Sequence, residues 1–133
     1  MAEKDSRPGM DAHQFILEFI DSVPHLEALI LLWNSRPVKW TSEELASRLY
    51  IPAGKVHDLL RDLVRQQLIA EAPGTPVKYS YLARSKEQDE MMRLVDEAYR
   101  HDLVRISTMI HSKASSAVRE FARAFRFKKE PER

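Results

Sequence analysis

The stretch "WTSEELASRLYIPAGKVHDLLRDLVRQQLI", residues 40–69, decides the fold, because it contains two helix patterns joined by a short turn. Thr41 stands three residues before Glu44, which is the spacing of a capping box and predicts that a helix begins there. The residues "YIPAG" predict the turn. A longer helix follows, and its predicted apolar face consists of Val56, Leu59, Leu60 and Leu63.

Two helices and a strand are predicted before this stretch. "DAHQFILEFIDS" has apolar residues at helical spacing, and "VPHLEALILLWNS" is apolar enough to be heavily buried. Ser22 suits the cap of the second helix, with Pro24 in its first turn. His25 lies near that helix start on an apolar segment, and we interpret it as a structural residue. The segment "RPVKW" predicts a minimal strand.

A β-hairpin is predicted after the longer helix. The segment "AEAPGTPVKYSYL", residues 70–82, pairs two extended stretches around a turn rich in proline. The predicted order is therefore helix, helix, strand, helix, turn, helix and hairpin. This order indicates a fold that is mainly α with a small β-hairpin.

This order, with the residues that carry it, resembles the winged helix-turn-helix superfamily, most closely the MarR-like and PadR-like bacterial regulators. The resemblance rests on residues 40–69 and the hairpin, and covers roughly residues 23–84. It implies a winged helix-turn-helix domain over residues 11–84, in which the hairpin is the wing. We expect residues 1–10 to be a flexible tail and residues 85–133 to be a long C-terminal helical arm.

The resemblance implies a set of DNA-binding residues, because the second helix of such a motif enters the major groove. In that helix, the residues expected to lie near DNA bases or phosphates are Ala53, Gly54, Lys55, His57, Arg61 and Arg65. Residues expected near phosphates are Thr41, Ser42 and Lys78. The resemblance thus predicts double-stranded DNA as a partner.

Two aspartates and the wing tip depart from this expectation. Asp58 and Asp62 lie on the polar face of the helix, where a carboxylate opposes binding to phosphates. Their spacing also predicts ion pairs, Asp58 with Arg61 and Asp62 with Arg65, which would solvate an exposed face. MarR-like wings usually carry an arginine near the tip, whereas this tip is "APGTP". The helix is therefore predicted either to read DNA or to face solvent or a partner.

The arm begins after Ser85 and carries one apolar stripe without Gly or Pro as far as Ile110. A continuous helix of this length would measure on the order of 40 Å, although the sequence does not decide between one helix and two. The stripe predicts packing on its own domain or self-association as a homodimer. The predicted interface residues in it are Met92, Val95, Tyr99, Leu103, Ile106 and Ile110.

A basic terminal helix, "SSAVREFARAFRFKK", completes the arm. Phe121 and Phe125 share one face and are predicted to finish the dimer core, while arginines on the neighbouring face meet water. The alternative is a protein partner docked at this helix, which we place ahead of a membrane surface because the helix is short.

Composition limits the other possibilities. The chain has 133 residues, 44% of them hydrophobic, and a formal net charge of +1, which fits one folded core with an appendage. Residues 1–111 hold 14 Lys and Arg against 17 Asp and Glu, whereas residues 112–133 hold 7 against 3. The basic excess therefore lies at the C-terminal end.

Catalytic and metal chemistry are not predicted from the pattern. Cysteine is absent, the five histidines are scattered, and no nucleophile or phosphate-loop motif occurs. We therefore expect no enzyme, no cofactor and no metal site. The first residues lack an apolar segment, so a cytoplasmic location is expected.

Two functions fit these patterns. The first is a homodimeric, DNA-binding transcriptional regulator of the winged-helix type. The second is an interaction adaptor with the same fold, which docks a regulatory partner through its C-terminal helix.

Overall fold

The computed structural model describes residues 11–113, and these form helices and short strands in the predicted order. The helices are α1 (Ala12–Phe19), α2 (Val23–Asn34), α3 (Ser42–Leu49), α4 (Ala53–Arg65) and α5 (Lys86–His101). A further helix, α6, occupies residues 103–113. The strands are β1 (Trp40–Thr41), β2 (Ile69–Ala72) and β3 (Lys78–Tyr81). The predicted class, mainly α with a small hairpin, is confirmed. The tail over residues 1–10 and the basic terminal helix lie outside the described residues.

Side-chain caps fix where the helices begin. The predicted capping box is present at α3, where the Glu44 amide donates to Thr41 Oγ1 at 3.1 Å and the Thr41 amide donates to Glu44 Oε1 at 2.9 Å. Asp11 and Gln14 form the same reciprocal pair at α1. Ser22 caps α2 as predicted. Local sequence therefore sets these boundaries by satisfying amides that have no partner within the helix.

Helix α2 forms the centre of the core. It packs against α3, α4, α5 and β3. Half of its twelve residues are buried, namely Leu26, Ala28, Leu29, Ile30, Leu32 and Trp33. An element that is apolar on several faces must be covered on several faces, so the other elements are arranged around it.

The three strands form one antiparallel sheet in the order β1, β3, β2. In the hairpin, Ile69 lies opposite Tyr81 and Ala72 opposite Lys78, while Thr41 of β1 also lies opposite Lys78. The predicted strand in "RPVKW" is wrong in position, because only Trp40 of that segment belongs to β1. The Val38 amide instead donates to the Ser35 carbonyl in the turn that follows α2.

The described part of the arm, residues 85–113, holds two helices rather than one continuous helix. Helix α5 ends at Asp102, whose backbone leaves the helical region at φ −143° and ψ 47°. The Asp102 amide still donates to the Ala98 carbonyl, and the Ile106 amide donates to the Asp102 carbonyl. Asp102 therefore ends one helix and begins the next. Beyond this break, Ile106 and Ile110 are fully buried.

Polar contacts also attach α5 to α2. Asp89 accepts from Trp33 Nε1 at 3.0 Å and from Arg36 at 2.7 Å. Further along α5, the Tyr99 hydroxyl donates to the Glu27 carboxylate of α2 at 2.5 Å. Burial raises the pKa of Tyr99 above its usual value, and the bond to the Glu27 carboxylate raises it further. The phenol therefore stays protonated and keeps donating.

Replacing Ile106 tests whether α6 belongs to the core of the single chain. Ile106→Ala should lower the free energy of unfolding by about 2–5 kcal/mol, because it leaves a cavity at a fully buried site. The control Val38→Ala, at a side chain that is 49% exposed, should change it by less than about 0.5 kcal/mol. Chemical denaturation followed by circular dichroism measures both. Equal stability of the two variants would contradict the described packing of α6.

Candidate nucleic-acid interface

Helix α4 has one buried face and one exposed cationic face. Val56, Leu59, Leu60 and Leu63 are buried, which confirms the predicted apolar face. On the remaining surface of the helix, the exposed titratable side chains are Lys55, His57, Asp58, Arg61 and Arg65, three of them lysine or arginine. Gly54 and Ala53 are exposed at the start of the helix, and a Cβ added at Gly54 would meet nothing within 4 Å. The helix therefore presents an open, positively charged surface.

The predicted phosphate-binding residues lie at the junction of the sheet with α3. Thr41 and Ser42 are partly buried where β1 meets α3, and Thr41 Oγ1 is already engaged in the cap. Lys78 is exposed and lies opposite Thr41 in the sheet. The fold thus brings Thr41, Ser42 and Lys78 together, although Lys78 and Thr41 are 37 positions apart in the sequence.

Strand β3 also lies within electrostatic reach of α4. Burial raises the pKa of Tyr79, the Glu71 carboxylate raises it further, and the Arg61 guanidinium lowers it. Glu71 lies directly opposite Tyr79 in the hairpin. The surface shared by α4 and the wing therefore has an acidic side chain as well as cations.

The two aspartates of α4 have different environments. Asp58 is exposed and lies 3.5 Å from Arg61, and Asp62 forms an ion pair with Arg65, so both predicted pairs are confirmed. The Asp62 side chain is only 29% exposed, and its carboxylate also lies 2.9 Å from His25 Nε2. Asp62 is therefore turned toward α2, and only Asp58 stands fully on the cationic face.

His25 connects the two helices. Its Nδ1 lies 2.6 Å from Ser22 Oγ, and its Nε2 faces Asp62. The hydrogen bond from His25 is the largest factor that lowers the pKa of Asp62, ahead of the opposing effect of burial. The three-residue spacing of Ser22 and His25 is a sequence signal for the contact between Ser22 Oγ and His25 Nδ1. The second contact is invisible in the sequence, because it needs α2 and α4 to pack together.

Most of the predicted arm interface is buried within the chain itself. Met92, Val95, Ile106 and Ile110 are fully buried and leave no surface for a second copy, which corrects their assignment to a dimer or partner interface. The physical reason is that the break at Asp102 folds both halves of the stripe onto the domain. Tyr99 is partly buried against Glu27. Phe121 and Phe125 lie outside the described residues.

A different apolar group is exposed on the arm side of the chain. Leu103 is 47% exposed and Val104 is 78% exposed at the start of α6, and Leu17 of α1 is 39% exposed. Leu103 was among the predicted interface residues, whereas Leu17 and Val104 were not. Because Leu17 and Val104 lie outside the apolar stripe of the arm, hydrophobic periodicity does not predict that they belong to an interface.

Asp62 gives a testable pH dependence. Asp62→Asn should lower the free energy of unfolding at pH 7 by about 1.5–3 kcal/mol, the range for a hydrogen bond to a charged group. The lowered pKa of Asp62 means that this contribution is present above the ordinary aspartate pKa of about 3.9 and is lost as the pH falls through the lowered value. Denaturation at pH 7 and at a pH below the lowered value measures the loss and its disappearance.

The matched control is Asp58→Asn, because Asp58 also pairs with an arginine three residues later but is 74% exposed. It should change stability by less than about 1 kcal/mol at both pH values. A loss for Asp58→Asn as large as that for Asp62→Asn would contradict the different environments of the two carboxylates.

Comparison with known proteins identifies the fold. No family model and no curated protein matches the chain. The chain is similar to the solved structure of a MepR–DNA complex from Staphylococcus aureus, at 18% identity and a TM-score of 0.51, over 87% of this chain and 85% of that one. It is also similar to the transcriptional regulator Tm0710 from Thermotoga maritima, at 13% identity and a TM-score of 0.51, over 92% and 86%.

A third similar structure is RV1404 from Mycobacterium tuberculosis, at 20% identity and a TM-score of 0.52 over 71% of this chain. The chain spans 63% of the length of that protein. Within residues 11–113, no helix is long and apolar enough to cross a membrane. These solved structures are all under 25% identical to the chain and share its fold, a winged helix-turn-helix that is mainly helical with a small antiparallel sheet.

Proposed function

We propose that the chain is a DNA-binding transcriptional regulator of the winged-helix type and acts as a homodimer. The observation that carries this proposal is the exposed face of α4 with the cations Lys55, Arg61 and Arg65 and the imidazole of His57, on a winged helix-turn-helix fold. A similar solved structure is a complex with DNA, which supports the same function for this fold.

In this proposal, α4 enters the major groove with its N-terminal end toward the bases. Ala53 and Gly54 have small or absent side chains, which allow the backbone to approach the DNA closely. Arg61 could donate two hydrogen bonds to a guanine edge, because its guanidinium is planar and carries parallel N–H groups. Thr41, Ser42 and Lys78 would contact phosphates beside the groove.

The acidic residues near α4 limit the affinity without preventing binding. The pair between Asp58 and Arg61 spans 3.5 Å, and both side chains are at least 69% exposed. An exposed pair of this kind contributes less than about 1 kcal/mol, so phosphate or base contacts can replace it. Asp62 is held by His25 and opposes DNA binding less than its position in the sequence suggests.

Arg61→Ala tests the DNA surface. The variant should bind a labelled nonspecific duplex several-fold more weakly, and its slope of log affinity against log salt should shrink by about 0.9, because one cation no longer displaces a counterion. Fluorescence anisotropy at several salt concentrations measures both quantities.

Arg93→Ala is the matched control, because Arg93 also pairs with a carboxylate three residues away, Glu90, but lies on α5. It should bind like the wild-type chain. No binding by the wild-type chain at low salt would reject the regulator and favour the adaptor function. Equal loss in the two variants would show that α4 is not the contact surface.

The homodimer is supported by the exposed apolar group of Leu17, Leu103 and Val104. Leu17 lines a surface depression with Arg105 and Met109 of α6, the helix that begins with Leu103 and Val104. A group of exposed apolar side chains is typical of an association surface. Two-fold pairing through this side would hold two copies of α4 in a symmetric arrangement, as a pseudo-palindromic DNA site requires.

Val104→Asp tests this surface. The variant should be monomeric in multi-angle light scattering at a concentration where the wild-type chain is dimeric, because a charge replaces a side chain that is 78% exposed. Val38→Asp is the control, since Val38 is 49% exposed and lies outside the α1 and α6 group. A monomeric wild-type chain, or a dimeric Val104→Asp variant, would contradict the proposed interface.

A further inference from the structure

Three side chains from separate elements converge between α2 and α4. Asp21 lies in the connection before α2, His25 in the first turn of α2, and Asp62 near the end of α4. Each offers one ligand atom, and these atoms all lie within 4.8 Å of one another. We call Asp21, His25 and Asp62 the ligand cluster.

The ligand cluster has the donor atoms of a transition-metal site. An imidazole nitrogen and carboxylate oxygens bind zinc at about 2.0–2.2 Å, which places the donors of one ion about 3–3.5 Å apart. His25 Nε2 and Asp62 Oδ2 are already 2.9 Å apart. The Asp21 side chain is 60% exposed and lies in a connecting segment, so rotation of that side chain can bring its carboxylate to the same ion.

His25 is oriented as a metal ligand would be. Its Nδ1 lies 2.6 Å from Ser22 Oγ, which leaves Nε2 directed at the Asp62 carboxylate. Metal-binding histidines usually donate their other ring N–H to a hydrogen-bond acceptor, which fixes the tautomer. Without an ion, Nε2–H donates to Asp62 while Nδ1 accepts from the Ser22 hydroxyl. With an ion bound, the imidazole would take the other tautomer, in which Nδ1 donates to Ser22 and the lone pair of Nε2 faces the ion.

The cluster is partly shielded and negatively charged. The His25 side chain is 13% exposed and the Asp62 side chain 29% exposed. Two monovalent cations adjoin it: Lys113 Nζ lies 3.5 Å from Asp21 Oδ1, and Arg65 pairs with Asp62. Lys113 also donates to the Ile20 carbonyl at 2.9 Å, so it keeps a partner when Asp21 turns away. A divalent ion can take the place of Lys113 at Asp21, and it can bind Asp62 Oδ2 while Arg65 stays on Oδ1, because the two contacts use different oxygens.

We propose that Asp21, His25 and Asp62 form a binding site for a divalent transition-metal ion, with zinc as the best match to the donor set. Water would complete the coordination sphere. The ion would join the α1–α2 connection, the start of α2 and the end of α4, and so would fix α4 against the centre of the fold.

Metal titration of the full chain tests the site. Isothermal titration with zinc should give one site per chain, and cobalt added in its place should give visible absorption bands of a nitrogen- and oxygen-ligated ion. Asp21→Asn should weaken zinc binding by roughly tenfold or more, because it removes a charged ligand. Its circular dichroism without metal should match the wild type, since Lys113 is the partner of Asp21 among the described residues.

His25→Asn should also lose the site, and His57→Asn is its matched control, because His57 is an exposed histidine of α4. Zinc should raise the melting temperature of the wild-type chain and of His57→Asn, but not of Asp21→Asn. The proposal is overturned if the wild-type chain binds no zinc, or if Asp21→Asn and His25→Asn both bind zinc as tightly as His57→Asn.

A regulatory consequence rests on the proposed function. Zinc on Asp62 Oδ2 would offset the charge of the carboxylate and so weaken its pair with Arg65 on Oδ1, which leaves the 66% exposed Arg65 a stronger cation on the DNA-binding face. DNA affinity should then rise a few-fold with zinc in the wild-type chain and stay constant in Asp21→Asn. Zinc binding is measured without DNA, so a chain that binds zinc but no DNA keeps the metal site and rejects the regulator. Unchanged DNA affinity with zinc rejects only the regulatory consequence.

Discussion

The burial of α2 is the constraint on which the rest of the structure depends. Half of its residues are buried, and α3, α4, α5 and β3 all pack against it. No single neighbour can cover a helix that is apolar on several faces, so the domain closes around α2 from several directions. The arm takes part in this closure, because Trp33 and Glu27 of α2 bind side chains of α5.

The same packing determines what α4 can present to a partner. Its leucines face α2, and its one inward carboxylate, Asp62, is bound by His25. The lysine and arginine side chains of α4 therefore remain on its exposed face. Of the two carboxylates of α4, Asp58 alone is mostly exposed on that face. The contact between His25 and Asp62 thus links the stability of the core to the charge of the proposed DNA-binding face. It also creates the ligand cluster, whose occupancy would act on that face directly.

Local patterns accounted for much of the fold. The capping box of Thr41 and Glu44, the cap at Ser22 and the apolar face of α4 all depend on residues a few positions apart, and all three predictions are confirmed. The position of β1 was wrong because strand pairing with β3, rather than local propensity, selects Trp40 and Thr41. The stripe in the arm was periodic in the expected way. Periodicity, however, cannot tell a surface that packs on its own domain from one that packs on a second copy.

The sequence by itself determined the order of helices and strands, the caps that begin them and the ion pairs within α4, because these depend on short-range spacing. Tertiary structure alone decided three other features: the break at Asp102 between the two described helices of the arm, the exposure of Val104, and the contact of His25 with Asp62. Each requires elements distant in the sequence to pack together. Side-chain contacts between such elements follow from the shape of the whole core, which no local pattern encodes.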